Sequence, residues 1–264
     1  MNSIKRYIKL YIDFTIINFK SIMNYKLDFL FGIISMFIKN AVNFFILLFI
    51  FNIIKTLKGW NFNQILFLYG FSTITYAIWH CFFINTISLP YYLKTGKFDS
   101  FLLKPVNSLF LIMTDSFDED GWGELIFGII IVVIAIYRLK IFNLYLLFLP
   151  VLFISGALVY AGLSLITASF SFISISQQGF TKLVMNLNNF SKYPLTIYPY
   201  FIKLLFTIII PVGFCAFYPS LFFITGLKSK LFFVFISPFV SILFFIISIK
   251  IWKFFMQFYK SSGS

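Results

Sequence analysis

Acidic residues are scarce in this chain, and after Glu124 there are none. Eight Asp and Glu stand against 21 Lys and Arg in 264 residues, a net charge of +13 at neutral pH. Charged side chains make up 11% of the total, where a soluble domain carries about a quarter. There is one histidine, His80, and there are two cysteines, Cys81 and Cys215, without CxxC spacing. Each shortage excludes a class of chemistry. One histidine rules out a multi-histidine metal site within a single chain, and any catalytic triad would have to use it. No metal site is expected, and the cysteines read as small buried hydrophobes. A proton- or ion-driven carrier needs carboxylates at membrane depth, which the second half of the chain cannot supply. An embedded enzyme needs an acid pair or an activated nucleophile, and candidates are almost absent. The phosphate-binding pattern Gly-x-x-x-x-Gly-Lys-[Ser/Thr] is missing too, because Tyr91 stands where Gly96-Lys97 would need its upstream glycine. The chain is therefore not expected to be an enzyme or to bind ATP by itself.

What the sequence has is apolar length. Hydrophobic residues make up 61% of it, 41 of them phenylalanine, and several runs exceed the roughly 20 residues needed to cross a bilayer. The expectation is an all-α, multi-pass membrane protein forming one domain over residues 1–264. The excess of lysine then belongs at span ends, facing the cytoplasm and anionic lipid, and not on a nucleic-acid-binding face. No cleavable signal peptide is evident.

Residues 4–22 mix Lys5, Arg6, Lys9 and Lys20 with Ile8, Tyr11, Ile12, Ile16 and Phe19 at helical spacing, the pattern of a helix lying in the headgroup plane. Spans are expected over about 27–54, 62–90, 124–138, 143–168 and 231–252. Lys39, Asn40 and Asn43 interrupt the first near mid-depth, and such residues face a bundle interior or snorkel to the interface. His80 in the second span reads as a hydrogen-bonded packing residue. Asp115, Asp118, Glu119, Asp120 and Glu124 read as a solvated acidic face at the membrane surface. Gly156, Ala157, Gly162, Ser164, Ala168 and Ser169 form a small-residue packing or dimer surface on the fourth span. Residues 94–107 must leave the hydrocarbon, because charges and irregular backbone are too costly inside it. Phe98, Phe101, Leu102 and Leu103 recur there with helical spacing and Pro105 ends the element, so a short amphipathic helix either floats on lipid or docks into a partner.

The least apolar candidate is 170–192, with Gln177, Gln178, Asn186 and Asn189 among its polar residues. It is either a loop or a spanning helix lining a route. Beyond it, Pro194, Pro199, Pro211 and Pro219 cut the chain into pieces shorter than a bilayer. These read as a re-entrant helix pair, or as an ordinary span over 200–220 kinked at Pro211. Lysines at both ends place both termini in the cytoplasm, which requires an even number of spans, and six fits either version.

Three stretches carry a resemblance. Gly96-Lys-Phe-Asp-Ser-Phe-Leu-Leu-Lys-Pro-Val-Asn107 is similar to the pattern Gly-x-hydrophobic-Asp-x-x-Leu-x-[Arg/Lys]-Pro-x-Asn. Phe190-Ser-Lys-Tyr-Pro-Leu-Thr-Ile-Tyr-Pro199 leads on to Ile210-Pro211 and Tyr218-Pro-Ser220. The ending Trp252 to Tyr259-Lys-Ser-Ser-Gly-Ser264 is the third. Together they resemble the permease subunits of type-2 ABC exporters. The resemblance implies six spans, an N-terminal interfacial helix and a cytoplasmic coupling helix within 94–107. It also implies extracellular re-entrant helices within 193–222, and favours 170–192 as the fifth span. It assigns ATPase coupling to Lys97, Phe98, Asp99, Phe101, Leu102, Lys104 and Pro105, with Phe98, Phe101 and Leu102 as the docking face. A translocation path would be lined by Lys39, Asn43, Gln177, Gln178, Asn186 and Asn189. The re-entrant motif would comprise Tyr193, Pro194, Tyr198, Pro199, Pro211 and Pro219. ATP and Mg would sit on a separate ATP-binding subunit, present in two copies, beside a second or paralogous permease in a bacterial inner membrane. The expected activity is export of a hydrophobic or amphiphilic drug, lipid or peptide, with an ion-coupled secondary transporter as the alternative.

Overall fold

The computed structural model describes residues 3–174, 178–226 and 230–261. Among these the chain is helical with no strand beyond one isolated bridge, Leu57 to Trp60. Five stretches are long and apolar enough to cross a membrane: Lys5–Ile53, Phe62–Lys94, Asp120–Leu139, Leu144–Phe172 and Leu231–Met256. The protein is an all-α membrane protein.

Helix α1, Ser3–Ile22, lies beside the loop that follows residue 106. Asn18 donates to the Thr114 carbonyl at 2.8 Å, and Tyr7 and Phe19 pack edge-on against Phe110 and Phe117. Its other side leaves Ile8, Ile12, Ile16 and Ile17 exposed, as a helix resting in an apolar interface would. A three-residue turn joins it to α2, Lys26–Ile53. A tight turn at Lys58-Gly59, with φ of 44° and 85°, leads to α3, Phe62–Phe83. That helix starts at a capping box: Asn61 accepts from the Gln64 amide while the Gln64 side chain accepts from the Asn61 amide, each at 3.0 Å.

Helix α3 is the axis of the fold, buried from Ile65 through Ala77. The chain then tightens through Ile84–Ser88 into α4, Leu89–Lys94, and α5, Lys97–Leu102. Pro90 in the first turn of α4 costs no hydrogen bond there. Asn107 caps α6, Ser108–Met113, by accepting from Leu109 and Phe110. Helix α7, Asp120–Leu139, packs along both α2 and α3. It begins about one turn before the expected third span. Helix α8, Leu149–Ser169, packs against α3 and the last helix. The small residues of α8 serve contacts within this chain: Gly156 sits against Thr75 of α3 and the Cys215 backbone, and Gly162 against Phe244 and Ser248 of the last helix.

Two ends of the bundle can be told apart by contacts. At one end Phe172 packs on Phe98, Trp252 and Tyr259, so the end of α8, the 94–107 loop and the C-terminal residues meet there. At the other, Trp60 donates to Thr196 at 2.9 Å and Lys58 to the Ile197 carbonyl at 3.3 Å. Between these two sets of contacts in the sequence lies α9, Gln178–Ser191, 14 residues and about 21 Å long at 1.5 Å per residue. The next two helices stay at the second end. Helix α10, Tyr200–Leu204, widens into a π turn over Leu205–Ile209 and breaks at Ile210-Pro211. Helix α11, Phe217–Thr225, packs its Phe217 on Trp60 and its Phe222 on Tyr145, then ends at Gly226. Tyr218 stacks on Phe233 of α12, Leu231–Met256, which returns to the first end.

The α2–α7 contact is closest at Gly123, where an added Cβ would collide with the Ile33 carbonyl oxygen. A backbone atom cannot turn aside as a side chain can. Gly123→Val is therefore expected to force the two helices apart at a cost of at least about 2 kcal/mol, read as a lowered unfolding midpoint in detergent. A variant that melts with the wild type would refute the close contact.

Candidate functional site

Four helices enclose a polar cavity of about 250 Å³ inside the otherwise apolar bundle. Helix α2 contributes Lys39, Asn40 and Asn43, α3 contributes Tyr76 and His80, and α7 contributes Glu124. Helix α9 and the residue after it bring Asn186, Asn188, Asn189 and Lys192. Lys39, Asn43, Asn186 and Asn189, expected together along one path, all line this one cavity. Gln177 lies outside the described residues, and Gln178 opens α9 with its side chain outside them. The floor is buried: His80 is 4% exposed, Glu124 3% and Lys192 6%. Lys39, Asn186 and Asn189 are exposed, so the cavity opens on the surface between α2 and α9.

His80 is held between two carboxylates. Its Nδ1 lies 3.1 Å from Glu124 Oε2 and its Nε2 lies 3.4 Å from Asp118 Oδ2. A neutral imidazole has one N–H, so a ring facing carboxylate oxygens with both nitrogens fits its doubly protonated form. Burial works to raise the Asp118 carboxyl, but the bond and the charge of His80 outweigh it and hold that carboxyl below its ordinary range. This corrects one expectation and supplies the partners for another. The acidic cluster is not wholly a solvated face, since Glu124 turns inward one turn into α7. The partners of the hydrogen-bonded His80 are carboxylates, from the third span and the loop before it.

Farther along the cluster, Asp115 accepts from Lys97 at 2.6 Å and from Tyr92 at 2.9 Å, joining the acidic loop to α5. Lys97 also stands over the Tyr92 ring at 5.0 Å and the Phe101 ring at 5.7 Å, and Lys104 over Phe101 at 5.6 Å. Asp99 faces the chain's own tail: Tyr259 and Ser261 each donate to its carboxylate at 2.9 Å. Burial first, and then the neighbouring Asp99 carboxylate, push the Tyr259 phenol up to about 12.

The expected docking face is half inverted. Phe98 is fully buried against Phe172 and Tyr259, and Phe101 is buried against Tyr92. Both are core residues of the loop and present nothing outward. The free strip is Leu102, Leu103, Lys104 and Pro105, with Leu103 87% exposed. Residues 98 and 101, three apart on a helix of under two turns, share the inward face; 102 lies at its edge, 46% exposed, and 103 falls opposite.

The proline- and tyrosine-rich segment lies at the far end of the bundle. Pro194 opens the short turn Leu195–Ile197, Tyr198 donates to the Phe190 carbonyl at 3.1 Å and Pro199 starts α10. Pro211 follows the break at Ile210, Tyr193 packs on the main core and Pro219 is buried in the first turn of α11.

A family model described as ABC-2 family transporter protein matches residues 14–263. Neither a curated protein nor a solved structure matches the chain.

Proposed function

This chain belongs to the ABC-2 transporter family, and on that footing we propose that it is the membrane subunit of an ATP-driven exporter acting by alternating access. The family implies an ABC ATP-binding subunit as its partner, which would carry ATP and Mg. On this reading two such subunits dock beneath a pair of permeases, either two copies of this chain or one copy and a paralogue. Both termini and the 94–107 loop lie in the cytoplasm of a bacterial cell. Residues 170–192 form the fifth of six spans, and 193–222 form a re-entrant pair on the outer side. The cargo is a hydrophobic or amphiphilic drug, lipid or peptide.

The observation that carries this reading is the surface of the loop. Its inner side is anchored by Phe98, Phe101, Lys97 and Asp99 to the chain's own helices and tail, while Leu102–Pro105 projects an apolar strip with one lysine. A rigidly backed projection can pass the closure of a docked motor into the bundle. The test is recovery of tagged protein from native membranes under gentle solubilisation. An ATP-binding subunit in near-stoichiometric amount is expected, and its absence would end the exporter reading.

The His80, Asp118 and Glu124 set favours a second reading, ion-coupled secondary transport, since carboxylates beside an imidazole are what a proton path uses. Vesicles given a proton gradient and no ATP separate the two: uptake or efflux under that condition would favour the ion-coupled carrier.

A further inference from the structure

We propose that the cavity between α2, α3, α7 and α9 binds the anionic headgroup, a phosphodiester or carboxylate, of an amphiphile whose tail stays in the bilayer. Lys192 would be its charge partner. Lys192 is 6% exposed and lines the cavity. Among the described residues its ammonium has no hydrogen bond and no ion pair; it stands over the Tyr69 ring, whose centroid is 5.2 Å from Nζ. An ammonium taken out of water without an anion is expensive, and a cation over one aromatic ring offsets little of that cost. Glu124 lines the same cavity but is not within ion-pair distance of Lys192, and its carboxylate is engaged by His80.

The charged groups give the ligand's sign. Among the described residues, Lys39 and Lys192 line the cavity beside a single carboxylate, Glu124, which faces His80, so Lys192 is left without a counter-anion. Asn43, Asn186 and Asn189 line the same space, and among the described residues their side chains have no hydrogen-bond partner. Their amide N–H groups suit the oxygens of a phosphate or carboxylate. A volume of about 250 Å³ equals roughly eight waters at about 30 Å³ each, enough for a headgroup and too little for a lipid. Helix α2 also carries the exposed Ile38, Val42 and Ile46, apolar surface that suits a tail left in the bilayer.

As a statement of what is exported, this rests on the exporter reading; as a statement of what the cavity binds, it does not. The purified full chain, without any ATPase, would be placed in nanodiscs of phosphatidylcholine with graded phosphatidylglycerol, and lipid retention read by native mass spectrometry. Wild type is expected to retain phosphatidylglycerol at least tenfold more strongly than phosphatidylcholine. Lys192→Met should lose that preference, Lys192→Arg should keep it, and the exposed-site control Lys203→Met should behave as wild type. In pure phosphatidylcholine Lys192→Met should melt above wild type, because it removes an unpaired buried charge, and added phosphatidylglycerol should reverse the order. If Lys192→Met does not fold, Lys192→Gln takes its place. An undiminished preference in the Lys192 variant, or a variant less stable than wild type in neutral lipid, would overturn the proposal. Stabilisation by inorganic phosphate alone would identify a free anion as the ligand and overturn the amphiphile. With the ATPase present, ATP-dependent transfer of labelled phosphatidylglycerol between leaflets would mark the lipid as cargo. Retention without transfer would mark it as a resident lipid of the same site. Failure of the binding arms leaves the docking of an ATPase untouched, and failure to recover an ATPase leaves the binding arms readable.

Discussion

Leu103→Glu is expected to stop ATP-driven transport while leaving the chain folded. Leu103 is 87% exposed at the tip of the loop, with Leu102 beside it at 46%, so replacing it should change the stability of the free protein by under about 0.5 kcal/mol. Inside an interface the same change places a carboxylate where an apolar anchor was, and anchors of that kind are worth about 2 kcal/mol or more, roughly a thirtyfold loss of partner affinity. The measurement is recovery of the ATP-binding subunit together with transport in reconstituted vesicles. Asp99→Lys should behave differently. It removes the acceptor for Tyr259 and Ser261, so it should loosen the tail and weaken coupling with partner recovery largely retained. Unchanged recovery and transport in both Leu102→Asp and Leu103→Glu would remove this strip from the docking surface. The same comparison separates docking from a loop that floats on lipid, because a lipid contact would not govern recovery of a soluble subunit.

His80→Ala should produce the largest loss of stability available from one polar side chain. Removing the ring leaves Glu124, 3% exposed, and the partly buried Asp118 without their shared cation. Breaking a buried pair from one side costs about 3–5 kcal/mol, which for a protein of this length is a fall of roughly 10 °C in unfolding midpoint. Glu124→Gln should be milder, since its amide oxygen can still accept from Nδ1 and Asp118 still faces Nε2. The pH dependence has a definite sign for Asp118. Its carboxyl is held below the ordinary range, so the stability it contributes is present above the unfolded value near 4 and is lost as the pH falls through the lower folded value. The gap between wild type and His80→Ala should accordingly be full at neutral pH and narrow below about pH 4. Coincident melting at neutral pH would show that the ring is not what holds these carboxylates.

The helices were legible because hydrocarbon imposes a length and an apolarity that few other environments require. Asn43, Asn186 and Asn189 could be singled out by the same contrast, since a polar side chain inside an apolar run has few places to go. Their grouping along one path came from the family resemblance, because nothing in the spacing of 43 and 186 says which helices are neighbours; that His80, Glu124 and Lys192 share the same cavity was not legible. Glu124 was grouped with the acids before it, although the apolar run that starts at Leu125 places it a full turn inside α7. Its partner lies 44 residues away in sequence, beyond any local pattern. Phe98 and Phe101 were set on the correct side of α5 relative to each other and on the wrong side relative to the protein. Helical periodicity groups residues into faces, but it cannot say which apolar face the rest of the chain will cover.

Tyr259 and Ser261 fasten the last described residues to Asp99, beside the exposed strip Leu102–Pro105. Anything covalently joined after this anchor, whether an affinity tag, a fluorescent protein or an ATP-binding domain, is therefore tethered from a point next to that strip. A short flexible tether from such a point gives its cargo an effective concentration on the order of millimolar. A bulky fusion there competes with the motor for its seat, while a fused ATP-binding domain would be captured in cis even if its affinity as a free subunit were weak.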